Sequence, residues 1–175
     1  MYKFIADRMV CKLGRWLRIF GYDTKMIKEE NDERYGREDD GLMLKIAEEE
    51  GRILVTRDVA LFREAIKYGQ EAVCIKANSL EEQIIELKKS LDIDIDLKMN
   101  RCTICNGNIV LEENIDELYE KDYVPKKLIS KEEKFWKCAK CGQIYWIGSH
   151  WENMKEKIKK IEEMEKNSGL MFKDL

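Results

Sequence analysis

Four of the six cysteines form two Cys-x-x-Cys pairs, a spacing typical of metal binding. The pairs are Cys102-Thr-Ile-Cys105 and Cys138-Ala-Lys-Cys141, and each is closely followed by a glycine, Gly107 or Gly142. We expect these glycines to adopt a positive φ, so that the backbone turns tightly and both thiolates face one ion. Four thiolates make a closed tetrahedral shell, which suits structural zinc and leaves no open position for catalysis. Redox-active or simply buried thiols are the alternative, and chelators or zinc analysis would distinguish them.

The other cysteines and the distance between the pairs lead to further expectations. Cys11 and Cys74 fall in a predicted helix and a predicted strand, where we interpret them as small core residues. Residues 106–137 separate the two pairs, which is longer than the compact spacing, so we expect an inserted loop or lid. The first residues lack the apolar stretch of a secretion signal, which favours metal binding over disulfides and a cytoplasmic location.

Three aspartates in the first half stand where a predicted strand ends or a predicted helix begins. Asp7 directly follows the first strand, Asp58 comes two residues after the strand at 52–56, and Asp40 opens a helix. The carboxyl ends of parallel strands meet at one edge of a sheet, so we expect these carboxylates to converge. Close carboxylates repel each other, and a divalent cation removes that cost. Hard oxygen ligands suit magnesium or manganese, so all three aspartates are predicted ligands of a catalytic Mg²⁺ or Mn²⁺ ion.

Each of these aspartates also has a simpler local explanation. Asp40 and Asp58 could serve only as N-caps of the helices that they open, and Asp7 could do so if a helix begins at Arg8. It is the placement of all three at the same end of their elements that favours a metal site.

A row of basic residues follows Asp7 along the first predicted helix. Four side chains spaced four, three and three residues apart share one face, opposite the apolar one: Arg8, Lys12, Arg15 and Arg18. This face is well placed to hold a phosphate backbone beside a metal site, and Arg57 is a further candidate for a phosphate contact. An ordinary solvated helix face explains the same pattern, and the sequence leaves both interpretations open.

The second half of the chain has its own capacity to bind nucleic acid. Several lysines between Lys121 and Lys140, with Trp136, Tyr145 and Trp146 nearby, can hold single strands by charge and stacking. The formal net charge of the chain is −3, so there is no overall positive field to attract nucleic acid, and local patches must do so.

Histidine usage excludes some classes of hydrolase. The chain has one histidine, His150, so it cannot be a ribonuclease that uses two histidines as acid and base. A Ser-His-Asp hydrolase would have to use His150 at the edge of the cysteine-rich region, without a nucleophile-elbow motif. Phosphodiester cleavage would therefore depend on carboxylate-bound metal, and we interpret His150 as structural or as an RNA contact.

Strands and helices alternate in the part of the chain that carries the aspartates. Strands are predicted at residues 2–6, 24–27, 52–56 and 72–75, and helices at 9–20, 40–50, 59–68 and 79–91. Ser79 and Glu82 form a capping box at the start of the last helix. Short connections between alternating elements imply an α/β fold, with a four-stranded parallel sheet and helices on both faces.

The composition divides the chain into three predicted parts. Residues 1–98 carry the sheet, residues 99–151 form a small cysteine-rich ribbon, and residues 152–175 form a helical tail. Apolar residues at helical spacing in the tail predict a helix that docks on the body of the protein: Met154, Ile158, Ile161 and Met164. A length of 175 residues suffices for one domain and a small module, and we expect a soluble protein without a transmembrane segment.

Several blocks of sequence together match the pattern of a known family. They are Phe4-Ile-Ala-Asp7-Arg-Met, Gly14-Arg-Trp-Leu-Arg-Ile-Phe-Gly-Tyr-Asp-Thr24, Asp40 with Ile46-Ala47, Ile53-Leu-Val-Thr-Arg-Asp58, and the ribbon from Arg101-Cys102 to Tyr145-Trp-Ile-Gly-Ser-His150. In these blocks the chain resembles the PIN-like ribonuclease domain found at the C-terminus of mutator-type exonucleases. In prokaryotes similar domains stand alone, often with a zinc ribbon attached.

The resemblance implies a PIN-like fold and a divalent-metal ribonuclease. It places Asp7, Asp40 and Asp58 at positions that bind metal in PIN domains. PIN nucleases commonly supply another acidic residue from a helix after the first strand, and the corresponding helix here has none. The resemblance leaves open whether Glu38 or Asp39 takes that place.

These observations predict a ribonuclease that uses Mg²⁺ or Mn²⁺ to hydrolyse RNA, which we expect to be single-stranded, to 5′-phosphate and 3′-hydroxyl ends. A non-catalytic RNA-binding adaptor held together by zinc is the alternative from another class. A phosphatase or phospho-acceptor is the third candidate function. Such sites usually carry a second carboxylate beside the first-strand aspartate, whereas Asp7 is followed by Arg8 and Met9. The sequence does not indicate an oligomeric state.

Overall fold

The first half of the chain forms a parallel sheet in a computed structural model, which describes residues 1–27, 39–98, 100–131 and 133–170. Its strands are β1 (Lys3–Ala6), β2 (Asp23–Met26), β3 (Ile53–Thr56) and β4 (Ala72–Cys74), in the order β2-β1-β3-β4. Every pairing between them is parallel, which confirms the prediction. All residues of β3 are buried, as expected for a central strand covered on both faces.

Helices cover both faces of this sheet, as predicted. A 3₁₀ turn at Arg8–Val10 leads into α1 (Cys11–Ile19), which packs with α4 (Leu80–Leu91) on one face. On the other face lie α2 (Asp39–Glu50) and α3 (Val59–Lys67). The capping box predicted at Ser79 and Glu82 is present at the start of α4. The polar and acidic composition of residues 28–39 predicts a surface loop, and this segment falls almost entirely outside the described residues, which resume at 39.

The cysteine-rich region forms a second, antiparallel sheet. Its strands are β5 (Ile109–Glu112), β6 (Phe135–Cys138) and β7 (Ile144–Trp146), paired in that order. The insertion predicted between the cysteine pairs contains two short helices, α5 (Ile115–Tyr119) and α6 (Lys126–Ile129). These helices and the sheet share a small apolar cluster of their own, so the insertion has its own core.

The chain continues into a long helix, α7 (Ser149–Leu170), that packs against α4. Ile161 is fully buried in the cluster formed by α1 and α4, and Met154, Ile158 and Met164 pack against it. The predicted docking of this helix is therefore confirmed, and its apolar face belongs to the main core. Within the described part of the chain, no helix has the length and apolar character needed to cross a membrane. The division at residues 98 and 151 stays a prediction.

Candidate active site and cysteine metal centre

The four paired cysteines converge on one point between the two halves of the molecule. Their sulfur atoms all lie within 4.8 Å of one another. The Sγ atoms of Cys102 and Cys141 are 3.6 Å apart, and those of Cys105 and Cys138 are 3.4 Å apart. A tetrahedral ion with bonds of about 2.3 Å separates its sulfur ligands by about 3.8 Å. All of these thiols are free cysteines, so the cluster has the donors and the dimensions of a four-thiolate metal centre.

The two turns that carry the cysteines differ in how they are closed. In the second turn Gly142 has a φ of 72°, as predicted, but in the first the positive φ of 62° belongs to Asn106. The role predicted for Gly107 is therefore wrong. A Cβ atom at Gly107 would lie 2.8 Å from Cβ of Lys140 and 3.0 Å from Sγ of Cys138, so glycine is required there because the two turns approach closely.

The electrostatics of the thiols favour a bound cation. Burial alone would raise the pKa of Cys138, but hydrogen bonds from the backbone N–H groups of Cys141 and Lys140 outweigh it and lower that pKa to about 7. Burial and the neighbouring thiols raise the pKa of Cys141 to about 12. Four thiolates in this space therefore cannot all be charged together unless a cation offsets their repulsion.

Two side chains fasten the first cysteine turn to the edge strand of the parallel sheet. The Arg18 side chain, only 1% exposed, donates from Nε to the carbonyl oxygen of Thr24 (2.8 Å) and from Nη1 to that of Ile104 (2.9 Å). Asn106 accepts a hydrogen bond from the Thr24 N–H (3.0 Å) and donates to the Asp23 carboxylate (2.7 Å). The turn thus covers part of β2, an edge strand that would otherwise expose unpaired backbone groups.

The buried position of Arg18 corrects one prediction from the sequence. Arg18 was expected on an exposed, RNA-binding face with Arg8, Lys12 and Arg15, and those three are exposed. Arg18 instead points inward, because its end of α1 is covered by β2 and by the first cysteine turn. Its guanidinium is occupied by backbone carbonyls and is not available to a phosphate group.

Asp7 lies at the carboxyl end of β1, at the centre of the sheet edge, and is 7% exposed. Its Oδ1 accepts a hydrogen bond from the Met9 N–H, so it caps the 3₁₀ turn. Its Oδ2 accepts from the Thr56 hydroxyl and from the Arg57 N–H (3.3 Å). Asp7 is therefore an N-cap, the local role that the sequence left open, and its carboxylate is held in a fixed orientation.

Asp58 is joined to Asp7 through Thr56. The hydroxyl of Thr56, which donates to Asp7, accepts a hydrogen bond from the Asp58 N–H at 2.9 Å. The exposed Asp58 side chain caps α3, accepting from the N–H groups of Ala60 (2.7 Å) and Leu61 (3.1 Å). No role was assigned to Thr56 from the sequence. The sequence feature that could have identified this role is a hydroxyl residue at the end of a buried strand, two residues before the acidic Asp58.

Asp40 approaches the same edge from the other side of the sheet. It lies in the first turn of α2 and is exposed. α2 runs back across β1 and β3 before Gly51 returns the chain to β3, so its N-terminus lies at the end where the strands finish.

The expected convergence of the three aspartates is incomplete in the described residues. Among these, the cysteines are the one group of three or more possible ligands whose atoms lie within 4.8 Å of one another. Asp7 and Asp58 share Thr56, and Asp40 lies at the same edge without joining such a group. Of the two further candidates, Glu38 is outside the described residues and nothing is described of the Asp39 side chain.

A family comparison covers most of the chain. Residues 2–158 match the model of the Mut7-C RNAse domain family. The chain belongs to this family. The Mut7-C match covers the parallel sheet, the cysteine centre and the start of α7, and it confirms the resemblance found in the sequence. It indicates a ribonuclease-type function and RNA as the substrate. None of the curated proteins matches the chain.

Basic residues of the Mut7-C domain lie on the chain segments that follow both Asp7 and β3. Arg8, Lys12 and Arg15 are exposed on α1 and on the turn before it. Arg57 follows β3 and donates a hydrogen bond to Asn78 (2.7 Å) on the loop before α4. Positive charge therefore flanks the sheet edge, next to Asp7 on one side and next to Asp58 on the other.

Proposed function

We propose that this Mut7-C domain is a metal-dependent ribonuclease, with its active site at the edge formed by Asp7, Asp40 and Asp58 and with zinc at the cysteine centre. The observation that carries the proposal is the linkage of Asp7 to Asp58 through Thr56. A nearly buried carboxylate at the end of the central strand is oriented by fixed donors, and a second acidic residue is tied to the same threonine through its backbone N–H. Pre-oriented acidic groups of this kind are what a metal-dependent phosphodiesterase requires.

The donor atoms remain suitable for a divalent cation after their local hydrogen bonds are counted. Both capping bonds of Asp58 go to Oδ1, so capping leaves its Oδ2 unused. Each carboxylate oxygen accepts more than one bond, so Oδ1 of Asp7 retains capacity beside its contact with Met9. Capping and metal binding are therefore compatible at both residues, and hard oxygens match Mg²⁺ or Mn²⁺.

The residues of the chain divide the remaining work. A bound Mg²⁺ or Mn²⁺ ion supplies an activated water and offsets negative charge on the phosphate. Asp7, Asp40 and Asp58 would hold that ion, and Arg8, Lys12, Arg15 and Arg57 would position the RNA backbone. Because water and not the ribose 2′-hydroxyl attacks, the products carry 5′-phosphate and 3′-hydroxyl ends. The single histidine of the chain is consistent with this chemistry, since no histidine pair is needed.

The sharpest test is Asp58→Asn, because asparagine caps a helix about as well as aspartate but carries no charge. We expect magnesium-dependent cleavage of end-labelled RNA to fall at least tenfold, with the melting temperature nearly unchanged. Asp7→Asn should abolish cleavage. Asp122→Asn, at an exposed position in the ribbon, is the matched control and should cleave like the wild type.

Full activity in both Asp7→Asn and Asp58→Asn would contradict the proposal, provided that each variant keeps its zinc and its melting transition. The other candidate, a non-catalytic RNA-binding adaptor, is favoured by the incomplete clustering of the aspartates. RNA binding that is insensitive to magnesium, with no cleavage over hours, would support the adaptor instead.

A further inference from the structure

A groove of about 490 Å³ lies between α1, the segment after α4, β7 and the start of α7. Four basic residues line it: Lys12, Arg15, Lys98 and Arg101. Five ring-bearing residues also line it: Trp16, Tyr145, Trp146, His150 and Trp151. No lining residue in this described part of the chain is acidic, although the protein as a whole carries a net negative charge. The groove therefore combines positive charge with aromatic planes.

The basic side chains differ in how firmly they are held. Lys98 forms an ion pair with Asp94 at 2.8 Å, and Arg101 donates to the backbone oxygen of Asn106 at 3.2 Å. Lys12 and Arg15 are exposed on α1, three residues apart, and so lie on one side of the helix. These two are the cations best placed to contact a phosphate backbone in the groove.

The aromatic residues form a floor and two accessible rings. Trp16 is 8% exposed and packs against Phe20, so it belongs to the floor. The Tyr145 hydroxyl contacts the Thr103 N–H and the Cys102 sulfur, each at 3.1 Å, which fixes its ring to the cysteine centre. Trp146 and Trp151 are each partly exposed at the groove. Partly exposed tryptophans beside cations can stack unpaired bases.

We propose that this groove binds single-stranded RNA, with the backbone against Lys12 and Arg15 and the bases against Trp146 and Trp151. The identity of the ligand as RNA rests on the proposed function. Arg8, Lys12 and Arg15 continue from the groove to Asp7 at spacings of four and three residues, so a bound strand extends along α1 toward the carboxylates. Duplex RNA does not fit this site, because stacking requires bases that are free of their partners.

The proposal differs from the sequence-based expectation for the ribbon. The lysines between Lys121 and Lys140 do not line the groove, and Lys137 is paired with Glu117 and Glu112 instead. Trp136 is also absent from the lining, whereas Tyr145 and Trp146 are present. The charge thus comes from α1 and from the segment after α4, and most of the rings come from residues 145–151.

The test is binding of a short, unstructured, fluorescein-labelled single-stranded RNA, followed by fluorescence anisotropy without added magnesium. The protein is the full chain carrying Asp58→Asn, and this substitution together with the omission of magnesium limits cleavage of the probe. Adding Trp151→Ala should weaken binding about tenfold, the loss expected for one stacked base. Adding Lys12→Glu and Arg15→Glu should weaken binding further and flatten its dependence on salt.

The matched controls are Tyr68→Ala and Lys67→Glu at the end of α3, where an exposed tyrosine and a lysine are also adjacent. They should bind RNA as tightly as the parent protein. Zinc content and melting temperature are measured for every variant. Lys12→Glu keeps the proposal testable even if Trp151→Ala unfolds, because Lys12 is exposed.

Unchanged affinity in folded groove variants, or equal affinity for duplex and single-stranded RNA, would overturn the groove assignment. That outcome is distinct from failure of the proposed function, which is measured by cleavage and not by binding. If the groove variants bind RNA more weakly but the wild type does not cleave RNA, the groove assignment stands and the ribonuclease assignment is rejected. If the groove variants cleave RNA as fast as the wild type does, the ribonuclease assignment stands and the groove assignment is rejected.

Discussion

At the scale of single residues, the buried polar groups of the parallel sheet serve two purposes. Thr56 relays a hydrogen bond from the Asp58 backbone to the Asp7 carboxylate, so the orientation of one acidic residue depends on the position of the next. At the opposite end of the strands, the nearly buried Arg52 pairs with Asp23 (2.9 Å) and Glu50 (2.7 Å). The first group positions the candidate active site, and the second stabilises the fold.

The Arg52 cluster leads to a pH-dependent prediction. Burial by itself would raise the pKa of Asp23, but hydrogen bonds from Arg52 and Asn106 outweigh it and hold that pKa below its ordinary value of 3.8. A carboxyl with a lowered folded-state pKa stabilises the protein above its ordinary pKa and loses this effect as the pH falls through the lower value. Asp23→Asn should therefore reduce the free energy of unfolding by about 1–3 kcal/mol at neutral pH.

The difference between Asp23→Asn and the wild type should shrink as the pH falls below about 4, where the carboxyl of the unfolded chain takes up a proton. It should vanish below the lowered pKa of the folded state, where the native carboxyl is neutral as well. Urea unfolding at several pH values measures it, with Asp122→Asn as an exposed control. A difference that stays constant down to the lowest pH at which the protein folds would contradict the assignment of this carboxyl.

At the scale of elements, α1 has three faces with different functions. Leu13 and Leu17 pack in the core, Lys12 and Arg15 line the groove, and Arg18 holds the first cysteine turn. Helical periodicity alone assigned the apolar face correctly and grouped all the basic residues together. It could not separate Arg18 from the others, because their environments differ only through β2 and the cysteine turn that cover one end of the helix.

A comparison of two arginines on α1 tests this division. Arg18→Met removes the donors to the carbonyl groups of Thr24, Thr103 and Ile104, and should lower the free energy of unfolding by about 2–4 kcal/mol. Arg15→Met, at an exposed position, should change stability by no more than about 0.5 kcal/mol. Chemical denaturation of both variants measures the contrast, and equal stabilities would show that Arg18 does not fasten the turn.

At the scale of the whole molecule, the cysteine centre lies where the two halves meet. Arg18 and Asn106 connect the first turn to the edge strand β2, and α7 returns from the ribbon to the core of the parallel sheet. These contacts should make the stability of each half depend on the other. The metal centre should stabilise the entire fold and not the ribbon alone.

Metal removal tests this coupling directly. Chelation should lower the melting temperature of the full chain by at least about 10 °C, since each 1 kcal/mol corresponds to about 2–4 °C at this size. The loss should appear as one shifted calorimetric transition, and added zinc should restore it. Two separate transitions, with the main one unmoved by the chelator, would show that the ribbon folds and unfolds independently.

The sequence by itself determined what depends on local chemistry. The order of strands and helices follows from periodicity, the start of α4 from its Ser79 and Glu82 box, and the cysteine centre from the two pairs. The candidate aspartates could also be named, because they stand at the ends of recognisable elements. Each of these features can be recognised from residues close together in the chain, although the two cysteine pairs that meet at the centre are more than 30 residues apart.

Only the tertiary structure decided which distant groups meet. Asp7 and Asp58 are hydrogen-bonded to the same threonine, Thr56, and Arg18 points inward. Lys12 and Trp151 line one groove although they are more than a hundred residues apart in the chain. The physical reason is that hydrogen bonding and burial depend on what packs against a residue, and sequence spacing does not record the other side of a contact. Helical spacing indicates which side chains share a face, and the fold determines whether that face meets protein or solvent.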